Sequence, residues 1–91
     1  MNMRSDREII YAPLFQRMYG KLSAEDRMRV DSSIDLFIDD PNHPRLHNHK
    51  LKGSKRGLRA FSAGYDLRII YEEAGDTIVL MLQVGSHKKV Y

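Results

Sequence analysis

Apolar side chains recur along this chain with two different periods, and the change from one to the other divides it. Residues 7 to 12, Arg-Glu-Ile-Ile-Tyr-Ala, are β-branched and aromatic and end at Pro13, which predicts a first strand. Proline is favoured in the first helical turn, and Leu14, Phe15, Met18, Tyr19 and Leu22 follow it three or four positions apart, so a helix opens there. Gly20 and Lys21 end it. Ser23, with Asp26 three residues on, forms a start resembling a capping box, and Val30, Ile34, Phe37 and Ile38 keep the helical period to Asp40, where Pro41 stops it. A link this short predicts an antiparallel helix hairpin with both apolar stripes facing one way. Such a pair needs a sheet to cover.

From Pro41 to Gly57 the period is lost among Pro, Gly, Asn, His and Lys, which predicts a long connecting loop. Beyond it the period becomes two. Leu58 to Ala63, Leu67 to Glu72 and Thr77 to Val84 read as three strands of an antiparallel meander, with Gly75-Asp76 turning between the last two. Alternation predicts that Ile78, Leu80, Leu82 and Val84 face the helices, as do Leu67, Ile69 and Tyr71. Asp66, Arg68, Ile70 and Glu72 then fall on an open face. The expected fold class is α+β, an N-terminal strand and helix hairpin packed on one face of an antiparallel sheet, with residues 1 to 91 forming one domain.

Composition narrows the chemistry. No cysteine is present, which excludes disulfides, thiolate zinc sites, iron–sulfur clusters and a cysteine nucleophile. No run approaches the roughly 18 apolar residues of a membrane span, and Met1 to Glu8 leads into no apolar signal segment, so the expectation is a soluble, cytoplasmic protein without a membrane partner. The glycines form no dinucleotide or phosphate-loop pattern, and no cofactor is expected. Charge is unevenly placed. Residues 1 to 40 hold 6 basic and 8 acidic side chains, residues 41 to 68 hold 7 and 1, and residues 69 to 91 hold 2 and 3, which together give the net +3. The middle third, which also carries His43, His47 and His49, points to a polyanionic partner; the alternative is a solvated basic loop.

His49 in that loop, Asp66 and Arg68 on the open face, and His87 after the last strand are four ionisable features that would make a site if the fold brought them to one end of the sheet, which the sequence alone does not establish. RNA is cleaved without metal when a base takes the 2′-hydroxyl proton, a cation stabilises the pentacovalent phosphate and an acid protonates the departing 5′-oxygen. A histidine or aspartate as base, Arg68 as clamp and a second histidine as acid fill those roles, because imidazole ordinarily titrates near neutrality. Tyr91 offers a stacking surface for a base. The plainer alternatives are surface histidines, an Asp66–Arg68 ion pair on a strand, and a tyrosine that covers the core. A metal site from His43, His47 and His49 with Asp39 and Asp40 lacks a rigid frame around Pro44, and none is expected.

His49-Lys50-Leu51-Lys52-Gly53, Gly57-Leu58-Arg59, Asp66-Leu67-Arg68-Ile69-Ile70-Tyr71 and Gly85-Ser86-His87 through Val90-Tyr91, with the earlier Tyr11-Ala12-Pro13-Leu14-Phe15, resemble the RelE/ParE toxin superfamily. The likeness is greatest to its YafQ-like branch and spans nearly the whole chain. It implies a toxin of a type II toxin–antitoxin system that cuts messenger RNA on the ribosome and is held inactive by a cognate antitoxin. It further implies catalytic roles for His49, Asp66, Arg68, His87 and Tyr91, and an RNA-binding role for Arg59. The neighbouring Lys50, Lys52, Lys55 and Arg56 are expected to bind RNA with it. Two positions depart from the branch: Ser62 stands where it has a histidine and Leu67 where it has an aromatic. The same resemblance leaves open a ParE-like, non-catalytic inhibitor of DNA gyrase, since fold alone does not fix activity. A plain RNA-binding module is the third possibility. The two histidine positions favour the ribonuclease.

Overall fold

The structure is a computed structural model that describes residues 7–91. Residues 1 to 6, which belong to the amino-terminal stretch considered above for a leader and to the expected domain of residues 1 to 91, lie outside the described residues. Strand β1 (Glu8–Tyr11) leads at once into α1 (Pro13–Gly20), and α2 (Ala24–Asp39) follows. The Ser23 hydroxyl caps α2 by accepting the Asp26 N–H at 3.1 Å, which satisfies one of the amide donors that a helix start leaves unpaired. Glu25 and Asp26 in that first turn also complement the helix dipole.

The segment 41–57 is more ordered than its composition predicts. It holds a 3-10 turn at Pro44–Leu46, the two-residue strand β2 (His49–Lys50) and a second 3-10 turn at Gly53–Lys55. Two residues are too few to leave a period, so β2 carries no sequence signature. Strands β3 (Arg59–Ser62), β4 (Leu67–Glu73) and β5 (Ile78–Ser86) and a single helical turn, α3 (His87–Val90), complete the chain. The sheet order is β1-β5-β4-β3-β2. Strands β3 to β5 form the expected antiparallel meander, β2 extends it antiparallel to β3, and β1 adds a parallel edge against β5, so the sheet is mixed.

The helices bury one face of this sheet. Phe15 of α1 and Val30, Ile34 and Phe37 of α2 meet Phe61, Leu67, Ile69, Tyr71, Val79, Met81 and Val84. Phe37 lies against Phe61, with ring centroids 4.7 Å apart, and against Tyr71 edge-on at 4.9 Å. The expected phase of β5 is corrected in its first half: Val79 and Met81 point into the core, rather than Ile78, Leu80 and Leu82. The reason is a β-bulge. Ile70 pairs with Gln83 but Tyr71 pairs with Met81, so Leu82 is an extra residue and the alternation reverses across it, leaving Val84 inward as expected.

Phe37 occupies the middle of the aromatic cluster and is fully buried. Phe37→Ala is expected to lower unfolding free energy by about 3–5 kcal/mol in urea denaturation, from lost transfer energy together with a cavity the neighbouring rings cannot close.

Candidate active site

The second face of the sheet is not open. Directly paired residues share a face, so the pairings His49↔Ala60, Ala60↔Ile70, Ser62↔Arg68 and Arg68↔Gly85 place His49, Ser62 and Arg68 on the side away from α2. Helix α3 folds back over this side, and Val90 closes on Ala60 and Ile70, all three buried, with Met18, Leu51 and Leu58 at the margin. Gly85 permits the close approach. A Cβ there would stand 3.3 Å from the Met18 methyl and 3.6 Å from both Lys89 and Val90. The expected open face is therefore a small second core flanked by polar side chains.

Those side chains are the ones the sequence singles out. The Tyr91 ring packs edge-on against His87 at 4.4 Å and against His49 at 6.4 Å, and its hydroxyl lies 3.4 Å from His49 Nε2. Arg68 is near enough for its charge to act on the Tyr91 phenol, and its guanidinium is steadied by the carbonyls of Tyr65 and Leu67 at 3.1 and 2.9 Å. Asp66 joins through the backbone, its carbonyl accepting the His87 N–H at 2.9 Å where α3 begins. Its side chain is exposed at the end of the β3–β4 turn. Chemically, the cluster offers two imidazoles and an aromatic ring beside a guanidinium, with the Asp66 backbone at its edge. Ser62, opposite Arg68, is turned to local use, its hydroxyl accepting the Gly64 N–H at 3.2 Å. Leu67 points into the main core.

The other histidines do not join them. His43 Nδ1 accepts the Arg45 N–H at 3.1 Å and caps the 3-10 turn, and His47 closes that turn in the left-handed region, with φ 49°. Among the described residues no group of three or more His, Asp and Glu comes together as metal ligands would, and no helix is long and apolar enough to cross a membrane. Lys50 and Arg56 line a cleft of about 420 Å³ with Leu51, Gly57, Leu58, Arg59 and Glu73. Arg59 is on the helix face, opposite Tyr71, and its Nε donates to Asn48 Oδ1 and to the Tyr71 hydroxyl, each at 3.1 Å. Asn48 and Tyr71 are functional candidates that the sequence does not reveal. One Asn in a His-rich loop reads as a turn residue, and Tyr71 reads as core.

No protein-family model matches the sequence, and no curated protein is similar to it. Solved structures are. YafQ from E. coli strain BL21(DE3) superposes with a TM-score of 0.75 at 21% identity, over 93% of this chain and 98% of that one. The E. coli DinJ–YafQ toxin–antitoxin complex matches at 0.74 and 21%, covering 94% and 98%. The archaeal RelE–RelB complex from Pyrococcus horikoshii OT3 matches at 0.71 and 18%, covering 93% and 99%.

Burial raises the Tyr91 phenol above its ordinary value near 10, with Arg68 opposing, so the hydroxyl keeps its proton. Tyr19 is raised mainly by its hydrogen bond to Asp31, and Tyr11 mainly by burial. A phenol whose folded value is raised stabilises the fold fully below the unfolded value and loses that contribution as pH rises through the folded one. Resistance to urea is therefore expected to fall above about pH 10, and Tyr91→Phe to make that fall shallower.

Proposed function

Taking the RelE/YafQ-like toxin fold as premise, we propose that this chain is the toxin of a toxin–antitoxin pair and a ribosome-dependent endoribonuclease that cuts messenger RNA. The observation that carries this reading is the meeting of His49, His87 and Tyr91 beside Arg68 on one exposed surface. His49 or Asp66 takes the 2′-hydroxyl proton as that oxygen attacks phosphorus. Arg68 holds the non-bridging oxygens while negative charge builds on them. His87 donates a proton to the 5′-oxygen as the phosphorus–oxygen bond breaks, which leaves a 2′,3′-cyclic phosphate and a 5′-hydroxyl. Tyr91, protonated and edge-on to both imidazoles, orients them and offers its ring to a base. The sequence of steps needs no metal.

Lys50, Lys52, Lys55 and Arg56 form the basic rim that meets the RNA backbone, while Arg59, with its Nε held by Asn48 and Tyr71, contributes first to the frame. An antitoxin is the protein partner in this reading, as DinJ is for YafQ in the E. coli complex. It would act by covering the second face or by displacing the segment from His87 to Tyr91. The cell compartment in this reading is the cytoplasm, where ribosomes and messenger RNA are found.

Primer extension on messenger RNA in a reconstituted translation reaction is the direct test. New 5′ ends at a fixed place within codons, carrying 5′-hydroxyls, are expected with the wild-type chain and are expected to vanish with His87→Ala. Equal cutting by that variant would remove His87 from the chemistry; no cutting by either, with loss of gyrase supercoiling, would favour the gyrase inhibitor, and RNA binding without new ends the plain binding module. In a salt titration of RNA binding, alanine at Lys52, Lys55 and Arg56 is expected to flatten the log–log slope by about 0.7 for each phosphate that is no longer neutralised.

A further inference from the structure

His49 is aimed from the opposite side of the sheet. Strand alternation sends adjacent side chains to opposite faces, so the backbone that turns His49 toward Tyr91 turns Asn48 toward the core under the helices. There Asn48 Oδ1 accepts two hydrogen bonds, from the Tyr71 hydroxyl at 3.0 Å and from Arg59 Nε at 3.1 Å, and those two donors are themselves 3.1 Å apart. Asn48 Nδ2 donates to the Pro41 carbonyl at 3.0 Å, tying the start of the 41–57 segment to the residue before β2. Tyr71 is 1% exposed and fixed among Phe37 and Phe61. One residue before the clamp, His47 adopts φ 49° and ψ 43°, and its carbonyl lies 2.8 Å from His49 Nδ1. Leu46, fully buried, anchors the other side of that turn.

A carbonyl only accepts, so Nδ1 of His49 must carry its hydrogen. In the neutral ring the lone pair is then on Nε2, the atom that faces the Tyr91 hydroxyl at 3.4 Å. We propose that Asn48, clamped by Tyr71 and Arg59, is a positioning residue that holds His49 in the Nδ1–H tautomer with its Nε2 lone pair presented to the second face. The inference rests on the ribonuclease reading for its purpose, and it assigns the base to His49 rather than Asp66. Its geometric content stands apart from that reading. Asn48 touches no reacting atom; it acts through the ring beside it.

The closing experiment has two arms. Long-range proton–nitrogen NMR of the full chain reads each imidazole tautomer whether or not the protein cleaves RNA. His49 is expected as the Nδ1–H form in the wild type, predominantly so in Asn48→Asp, which keeps the oxygen that accepts from Tyr71 and Arg59 but loses the Nδ2 bond to Pro41, and as a mixture in Asn48→Ala, with the His87 pattern unchanged. An Nε2–H form in the wild type, or an unaltered His49 in folded Asn48→Ala, would overturn the proposal. Should Asn48→Ala fail to fold, Tyr71→Phe keeps the ring and removes one donor, and a partial shift at His49 is expected; none would count against the clamp. In the second arm, single-turnover cleavage by Asn48→Ala is expected to slow on the order of tenfold to a hundredfold with RNA affinity unchanged, and Asn48→Asp to recover part of the rate. Weakened affinity at an unchanged rate would refute positioning. A wild type that cuts no RNA would instead refute the ribonuclease reading and leave the NMR arm to decide on the clamp.

Discussion

The burial of Ala60 and Ile70 beneath Val90 is the contact on which the candidate site depends. Two helices cover one face of a five-stranded sheet, and the other face is closed by the last turn of the chain with Met18, Leu51 and Leu58 at its margin. A four-residue helix has no stability of its own, because nucleating a turn is unfavourable without packing to support it. Its attachment comes from one buried valine, worth about 1.5–3 kcal/mol by transfer, and from the Asp66 carbonyl that receives the His87 N–H. The element that carries His87 and leads into Tyr91 thus depends on this packing, and the second core and the histidine cluster stand or fall together.

A second anchoring works from the far edge. Strand β2 is only two residues long, too short to define its own register, yet His49 is brought opposite Ala60. What a longer strand would obtain from further ladder bonds, this one obtains from side chains: Leu46 in the core before it, and Asn48 bonded to Tyr71 and Arg59 beneath it. Both histidines of the cluster therefore sit on short elements fixed by neighbours rather than on long regular ones.

Much of this was legible in the sequence where local rules act alone. Pro13 and Ser23 mark the helix starts because each answers to the chemistry of a helical first turn, and Leu67, Ile69 and Tyr71 enter the core under the helices as their alternation requires. His49, Arg68, His87 and Tyr91 could be picked out by type and order. Legibility ends where tertiary structure overrides a local period. The bulge at Leu82 leaves no mark in a run of apolar residues that satisfies either phase. Strand β2 and helix α3 are shorter than the windows in which a period is visible. Arg59 reads as one more cation in a basic stretch, and only pairing with Tyr71 shows that its Nε serves the frame.

The bulge also links the two halves of β5 in a way that bears on how this chain tolerates insertion and deletion. Upstream of Leu82 the strand presents Val79 and Met81 to the helices; downstream it presents Val84 to them and Gly85 to α3. Removing a single residue at this point would restore simple alternation and so exchange inside for outside along one half of the strand, setting the wrong faces against α3 or against α2. The same loss in the exposed turn at residues 74–77 would leave both halves in phase with their partners. Length variation among related chains should thus be absorbed at that turn, while the bulge behaves as an indivisible joint between the structural face and the chemical one.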